Sequence, residues 1–377
     1  MRVAIVGGGV LGASTAFHLA RAGAEVMLVD AAHEGRATAA GAGIVCPWVS
    51  GAEGAFYRLY AAGARYYAEL IALLDACGEH DLGYARVGGL CVSDDARELD
   101  FIVDHVSARA AEAPDAGEVH RLSAPEAHDR FPLLHSGLAG VLVTGGARVD
   151  GRRLAASLRR AAQRLGAGWR DGVAALAMAG GRVIGVGIAG ETLSADVVVV
   201  TAGAWAPAVL CPVGIAPAIA PMRGQIMHFE MPGADTSTWP VVLPQSEHYL
   251  LAFEDGRVVA GATREASAGF DYRVTAAGQA EVLQHALRVA PGLALATVIE
   301  TRVGFRPVSA DGLPLLGPEG GVDGLLVGNG LGAAGLTIGP FAGKLLAEAA
   351  LGLEPSLDLR PFNPSRRAGA GMRAAIR

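Results

Sequence analysis

Cysteine is scarce in this sequence. Its four cysteines, Cys46, Cys77, Cys91 and Cys211, lie far apart in a chain of 377 residues. They form no C-x-x-C pair, and no histidine cluster has metal-ligand spacing. These absences exclude a disulfide-stapled scaffold and a zinc module, so we expect reduced thiols and no metal site.

Long apolar runs are also missing. No uninterrupted apolar stretch reaches about 18 residues, the length that predicts a membrane-spanning helix. The chain passes from Met1 directly into a strand pattern, without the basic start, apolar core and cleavage site of a signal peptide. We therefore expect a cytoplasmic protein without an integral membrane segment, while peripheral contact with a membrane stays open.

The sequence has no strong excess of one charge. Its 31 lysines and arginines nearly balance 37 aspartates and glutamates, and the net charge of -6 is spread without long runs. A nucleic-acid partner is therefore not expected. Residues 366–377 are locally basic, and their glycine and alanine content indicates a frayed tail rather than a binding arm.

What the chain does have is enough apolar residues for a sizeable core, with a hydrophobic fraction of 51%. Its length and composition permit two domains. The strongest local signal lies near the N-terminus. A buried-strand pattern over Arg2–Val6 leads into the glycine-rich segment Gly7–Gly12, and helical apolar spacing follows over Ala13–Arg21. A second strand pattern over Glu25–Val29 ends at Asp30.

This strand–glycine–helix unit predicts a dinucleotide site. Gly7 permits the tight turn, Gly9 lets the backbone approach a pyrophosphate, and Gly12 lets helix and strand pack closely. The helix N-terminus then faces the phosphates, and Asp30 would accept hydrogen bonds from the adenosine ribose. The motif alone does not distinguish NAD from FAD.

Small residues continue over Gly35–Ile44. They would let the backbone lie against a flat ligand, and Thr38 adds a hydroxyl for the pyrophosphate. The alternative is an ordinary flexible loop. Further elements predicted from the patterns are a strand over Val141–Val149, a helix over Gly151–Leu165 capped by Asp150, and strands over Val173–Met178, Arg182–Ile188 and Ala195–Val200.

A second glycine-rich loop lies near the C-terminus. It runs over Asn329–Thr337 between a strand, Leu325–Gly328, and a helix expected from about Pro340 to Leu351, where Pro340 suits the first turn. Free N–H groups and the positive end of a helix dipole would stabilise negative charge on a reduced flavin.

Taken together these motifs resemble the D-amino-acid oxidase superfamily of FAD enzymes, and within it the bacterial D-amino-acid dehydrogenase and glycine oxidase branch. The matching segments follow one another in family order and are Gly7–Gly12, Ala37–Gly43, Ala202–Trp205, Pro221–Gln225, Gly304–Pro307 with Asp311–Pro314, and Gly328–Thr337.

The resemblance implies an α/β fold in which a Rossmann-like FAD domain of the glutathione-reductase type is interleaved with an α+β substrate domain built on an antiparallel sheet. The FAD domain would comprise residues 1–45, 145–215 and 305–365, and the substrate domain residues 46–144 and 216–304. Strands in the second domain are expected over Gln225–Glu230, Tyr249–Phe253 and Arg257–Gly261, with helices over Gly54–Cys77 and Asp95–Ala111.

Cofactor contacts are expected from the motif residues and their neighbours. The expected set is Gly7, Gly9, Val10, Leu11, Gly12, Asp30, Ala31, Thr38, Ala39, Gly43, Ile44, Val173, Gly203, Trp205, Gly304, Arg306, Gly332, Gly335, Leu336 and Thr337.

Two departures from the family pattern limit what can be transferred. The sarcosine oxidase branch attaches its flavin through a cysteine near the segment Gly304–Ser309, and no cysteine follows Cys211 here. We therefore expect non-covalent FAD. Asn329 stands where D-amino-acid dehydrogenases often have histidine and glycine oxidases arginine, so the substrate is not transferable.

The expected chemistry is oxidation of the C–N bond of a small amine, foremost a D-amino acid or a glycine- or sarcosine-like amino acid, by hydride transfer from the α carbon to flavin N5. Arg306 matches the family's carboxylate-binding arginine, since a guanidinium can hold a carboxylate through two hydrogen bonds. The alternative is a structural pair with an acid such as Asp311. Tyr249 matches a tyrosine of the substrate pocket, and its alternative is a half-buried core residue.

Further pocket candidates are His248, which could assist deprotonation of the amine, and Trp48, which could cap the pocket. Arg223 is expected to be structural. Two other functions stay open, namely a 2-hydroxy-acid dehydrogenase or oxidase of the same fold and a non-catalytic FAD-binding protein acting through a partner. The sequence does not decide between oxygen and a quinone as electron acceptor.

Overall fold

The computed structural model describes residues 1–366. Residues 367–377, most of the expected frayed tail, lie outside this range. Arg366, the first residue of that expected tail, is firmly held. Its Nη2 and Nε donate to the two carboxylate oxygens of Asp311 at 2.7 and 2.8 Å. The frayed-tail prediction is therefore wrong for Arg366.

The strands of the described residues fall into two large and two small sheets. In chain order they are β1 Arg2–Val6, β2 Glu25–Asp30, β3 Ile44–Val45, β4 Ala85–Arg86, β5 Gly89–Ser93, β6 Val119–Leu122, β7 Ala139–Val143, β8 Ala147–Arg148, β9 Gly168–Asp171, β10 Ala174–Ala179, β11 Arg182–Ile188, β12 Glu191–Ser194, β13 Val197–Val200, β14 Ile219–Glu230, β15 Val241–Pro244, β16 Tyr249–Ala252, β17 Arg257–Gly261, β18 Thr297–Ser309, β19 Leu315–Pro318 and β20 Leu325–Asn329.

The α-helices cover the faces of the large sheets. In chain order they are α1 Val10–Arg21, α2 Ala37–Ala40, α3 Gly54–Asp75, α4 Ala96–Glu112, α5 Ala124–Arg130, α6 Gly151–Arg164, α7 Ala206–Leu210, α8 Ala276–Val289 and α9 Gly335–Ala350. Within residues 1–366, no helix combines the length and the apolar character needed to cross a membrane.

The first large sheet has six strands in the order β19-β20-β13-β1-β2-β9. All neighbours in it are parallel except the antiparallel pair β19–β20. Its central strands are buried valine-rich runs, as expected for a parallel sheet that is covered on both faces. Helices α1 and α9 pack together on one face, and the three-stranded sheet β10-β11-β12 lies on the other.

The second large sheet has eight strands in the order β18-β14-β17-β16-β15-β5-β7-β6. Neighbours are antiparallel except β15 and β5. The fold class predicted from the sequence, a Rossmann-like domain with a mostly antiparallel second sheet, is confirmed. Position 305, where the domains were expected to meet, lies inside β18, which pairs with β14 as far as Ser309.

Two predicted strands have different bounds. The expected strand Val141–Val149 is two strands, β7 and β8, because a turn through Gly145 and Gly146 interrupts it. A Cβ on Gly145 would lie 2.2 Å from the backbone oxygen of Asp115, so only glycine fits there. Strand β14 begins at Ile219, six residues before the predicted start at Gln225.

The helix predicted from Pro340 begins at Gly335, which places Pro340 inside α9. Proline has no N–H, so it cannot donate to the carbonyl of Leu336 four residues earlier. The hydroxyl of Tyr67 on α3 donates to that oxygen instead, at 2.5 Å. The helix therefore continues through the proline because a side chain from another helix satisfies the freed carbonyl.

Candidate active site

A large cavity of about 1180 Å³ lies between the two large sheets. It begins at the ends of β1 and β2 and extends to the face of the eight-stranded sheet that carries Tyr249 and Arg306. The volume exceeds the roughly 300–1,000 Å³ of an ordinary small-molecule pocket. There is room for a dinucleotide and a small second molecule.

The first end of the cavity is made of backbone. Gly7 has a φ of 109°, and a Cβ there would lie 2.5 Å from the oxygen of Thr201. A Cβ on Gly12 would lie 1.9 Å from the oxygen of Gly7. Gly7 thus makes the turn and Gly12 the close helix–strand contact, as expected from the spacing.

The N-terminus of α1 opens into the cavity at Gly9 and Val10. N–H groups in a first turn have no acceptor within the helix. Thr38 supplies one, because its Oγ1 accepts from the Val10 N–H at 3.0 Å. The hydroxyl therefore sits at the helix N-terminus, where a phosphate is stabilised.

Asp30 closes β2 and is almost fully buried at the cavity wall. Its Oδ1 accepts from the Ala32 N–H at 2.9 Å, and its Oδ2 accepts from Arg36 Nη1 at 3.1 Å. Both bonds hold the carboxylate in place. A carboxylate fixed beside a glycine-rich turn is the group that binds a ribose in dinucleotide folds.

The second glycine-rich loop forms another wall of the cavity. A 3-10 turn over Gly332–Ala334 leads into α9, so that a helix N-terminus again faces the interior. A Cβ added to Gly332 or to Gly203 would meet no atom within 4 Å. Small residues at two helix N-termini and a buried acid fit the phosphates, ribose and flat ring of FAD.

The other end of the cavity is made of side chains laid over glycines. A Cβ on Gly224 would lie 2.4 Å from Nη1 of Arg306, and a Cβ on Gly261 would lie 2.5 Å from the hydroxyl oxygen of Tyr249. Each glycine sits on a strand next to that of the side chain it faces. Only glycine leaves space for these two side chains to lie flat against the sheet.

Arg306 has a carbonyl rather than a carboxylate as its partner. Its Nη1 donates to the oxygen of Thr263 at 3.0 Å, and among residues 1–366 no acid forms a salt bridge with it. Burial lowers the pKa of Arg306, and the neighbouring Tyr249 opposes this shift. Burial likewise raises the pKa of Tyr249. A half-buried cation at a cavity wall is stabilised by an anion that enters the cavity.

The structural alternative for Arg306 does not hold, because Asp311 pairs with Arg366. Arg223, on the neighbouring strand, is different. Its buried guanidinium forms salt bridges with Glu265 and Asp271, which agrees with the structural role expected for it.

Most of the predicted cofactor residues line the cavity, but three do not. Gly12 lies behind the wall, Ala39 accepts from Arg152 Nε at 2.9 Å, and Thr337 donates to the oxygen of Ile44 at 2.8 Å. The predicted residues found in the wall are Gly7, Gly9, Val10, Leu11, Asp30, Ala31, Thr38, Gly43, Ile44, Val173, Gly203, Trp205, Gly304, Arg306, Gly332, Gly335 and Leu336.

The two weaker substrate-pocket candidates are placed differently. Trp48 is 3% exposed and packs in the hydrophobic core, so it does not cap the pocket; its neighbours Cys46 and Val49 reach the wall. His248 borders the cavity, but its ring stacks on His285 of α8 with centroids 3.7 Å apart. Burial, followed by the charge of His285, lowers the pKa of His248 to about 4.

The cavity wall also holds an ion pair that was not predicted from the sequence. Arg264 and Glu247 both line the cavity, and Arg264 Nε lies 3.1 Å from Glu247 Oε2. Neither residue belongs to a motif, and both lie in loops that flank strands. Alternation along β16 and β17 could not have placed them, because the loops run beyond the strand ends.

The fold and the cavity define a flavin-dependent oxidoreductase, and residues 2–349 match the family model described as DAO, FAD dependent oxidoreductase. The chain belongs to this family. It is 50% identical to an uncharacterized oxidoreductase, YurR of Bacillus subtilis (strain 168), over 96% of this chain and 98% of that protein.

Several similar proteins are named by an activity. The crystal structure of iminodiacetate oxidase (IdaA) from Chelativorans sp. BNC1 has 52% identity and a TM-score of 0.94, covering 96% of this chain and 99% of that one. A glycine oxidase of Pseudomonas aeruginosa is 30% identical over 97% of this chain and 99% of its own length. The resemblance inferred from the motifs is confirmed.

Proposed function

We propose that this FAD-dependent oxidoreductase oxidises the C–N bond of a small amino acid whose carboxylate is held by Arg306. The observation that carries the proposal is the half-buried guanidinium of Arg306, which faces the cavity without a carboxylate partner in the described residues. A planar fork can hold a carboxylate through two parallel hydrogen bonds and so orient the α carbon. Tyr249 lies beside the same space and adds a hydroxyl.

A bound flavin would supply the two-electron acceptor, since that chemistry belongs to the cofactor. The protein's residues orient the substrate and favour its neutral amine. The positive charge of Arg306 disfavours an ammonium in the cavity, because like charges lower the pKa of an amine, whereas the charge of Arg264 is balanced by Glu247. Loss of the amine proton to water would then leave no need for a side-chain base.

Non-covalent attachment of FAD is part of the proposal. None of the four cysteines lies in the segment 304–309, the attachment region of the covalent relatives. Acid precipitation of the yellow protein should leave the colour in the supernatant. Colour that stays with the precipitate would contradict non-covalent binding.

For the substrate we propose an N-substituted glycine with a second carboxylate. Two observations support this choice: Arg264, although paired with Glu247, adds a second guanidinium to the cavity wall, and a similar protein of known structure is named an iminodiacetate oxidase. Removal of two hydrogens from such an amine gives an imine, and water then cleaves it to an oxo acid and a primary amine. A D-amino acid or glycine is the second candidate, supported by the glycine oxidase relatives.

The test is an anaerobic screen for bleaching of the flavin. Iminodiacetate, sarcosine, glycine, D-alanine and D-lactate are mixed with the protein, and flavin absorbance and released amine are followed. We expect the fastest bleaching with iminodiacetate, with one glycine released per flavin reduced. Bleaching by D-lactate alone would support the 2-hydroxy-acid function, and no bleaching by any compound would favour a non-catalytic role.

A further inference from the structure

Three aromatic rings form a continuous stack beside the Asp30 end of the cavity. His33 stacks on Trp205 with centroids 4.7 Å apart and planes at 16°, and Trp205 stacks on Phe270 at 5.1 Å and 25°. We call these three residues the aromatic stack. Phe305 packs its edge against the stack, 5.9 Å from Trp205 and 5.2 Å from Phe270. Such stacked and edge-to-face arrangements are favourable beyond the area they bury.

The rings of the stack come from two different parts of the fold. His33 follows β2 and Trp205 follows β13, both strands of the six-stranded sheet. Phe270 lies in the loop 262–275, which joins β17 of the eight-stranded sheet to α8. The stack is therefore a contact between the two large sheets.

The loop that carries Phe270 is tied to the eight-stranded sheet by Arg223. Nη1 of this buried arginine donates to the backbone oxygen of Asp271 at 3.0 Å, and its guanidinium forms a salt bridge with Glu265. Phe270 itself remains 47% exposed. Its ring is thus presented from an anchored loop and is not part of the hydrophobic core.

Trp205 and His33 line the cavity next to Asp30, and Phe270 supports Trp205 from outside. Trp205 cannot turn away from the cavity unless it leaves Phe270 and Phe305. We propose that the aromatic stack is a latch that slows dissociation of the FAD. Phe270, on the loop that belongs to the eight-stranded sheet, is the positioning residue that holds Trp205 in place. The latch goes beyond the proposed reaction, because it concerns retention of the cofactor whatever the substrate is.

The experiment measures the release of FAD from the Phe270→Ala holoenzyme. The protein is diluted, and the rise of free-flavin fluorescence gives the dissociation rate. Phe101→Ala is the matched control, since Phe101 also borders the cavity and is 70% exposed, but its ring stacks on His105 and not on the aromatic stack. We expect Phe270→Ala to release FAD about tenfold faster, from the loss of two aromatic contacts, and Phe101→Ala to match the native protein.

A second measurement separates a latch from a general packing contact. The melting temperatures of the apoprotein and the FAD-loaded protein are compared, because a ligand stabilises only by its affinity for the folded state. A latch predicts that Phe270→Ala reduces the increment due to FAD and that Phe270→Tyr restores it. Unchanged release of FAD, or equal acceleration in Phe101→Ala, would overturn the proposal. So would an equal fall in both melting temperatures.

Discussion

The two ends of the cavity are built by different means. At the Asp30 end, backbone and glycine make the site, and Gly7, Gly9 and Gly12 follow one another in a single strand–turn–helix unit. At the Arg306 end, side chains make the site, and Arg306, Tyr249 and Arg264 come from two strands and a loop that are not consecutive in one local unit. A site made of backbone tolerates few substitutions and binds one cofactor. A site made of side chains can bind a different ligand after a single substitution.

The largest expected effect lies at the side-chain end. Arg306→Lys keeps the charge but loses the fork, so kcat/KM for a carboxylate substrate should fall about tenfold to a hundredfold, or roughly 1.4–3 kcal/mol. In Arg306→Ala, kcat/KM should fall further. Steady-state kinetics together with flavin content tests this. A normal kcat/KM in Arg306→Ala at full flavin occupancy would show that the substrate is oriented by other groups.

The second effect concerns Asp30, the buried acid at the backbone end. Asp30→Ala should weaken the binding of FAD by about 1–3 kcal/mol, because the contact with the ribose is lost. The effect on the stability of the fold should be much smaller. Isothermal titration of the apoprotein with FAD measures it. Arg36→Ala is the control, since it removes only the 3.1 Å partner of Asp30. Equal losses in both variants would mean that the acid acts only by holding Arg36.

The third prediction asks whether His248 belongs to the substrate end. Its pKa of about 4 lies below the unperturbed value of about 6.5, so the folded protein holds a neutral ring. A lowered pKa contributes stability that is complete above pH 6.5 and is lost as the pH falls towards 4. Between pH 7 and pH 5 the free energy of unfolding should fall by about 1–2 kcal/mol more in the native protein than in His248→Gln. Urea unfolding at the two pH values measures this difference.

The kinetic counterpart of this prediction is a null effect. Because the ring is neutral from pH 5 to pH 8, His248→Gln should keep the shape of the pH profile of kcat/KM. If the substitution removes a limb of the profile near neutral pH, the imidazole takes part in proton transfer.

The last expected effect tests the second carboxylate of the proposed substrate. Arg264→Ala should lower kcat/KM for iminodiacetate about tenfold and leave the value for glycine within about twofold, since only the first has a second carboxylate. The ratio of the two substrates is the measurement. A parallel fall for both would place Arg264 in the wall without a role in selectivity.

The same contrast explains what the sequence could predict. The Rossmann-like unit, the placement of Gly7 and Gly12, and the cap of α6 by Asp150 are local, because the residues that form them are close in the chain. The start of α9 could not be predicted, since it depends on Tyr67 satisfying a carbonyl from another helix. The core position of Trp48 and the pair Arg264–Glu247 depend on tertiary packing, which leaves no periodic trace.

Phe305 and Arg306 are consecutive residues of one strand, and their side chains therefore point to opposite faces. Phe305 packs against the aromatic stack, and its N–H donates to the oxygen of Gly35 at 2.8 Å; Arg306 lines the cavity. One peptide unit would thus link the proposed latch to the proposed carboxylate site. If a bound carboxylate raises the affinity for FAD by some factor, thermodynamic linkage requires that bound FAD raises the affinity for that carboxylate by the same factor.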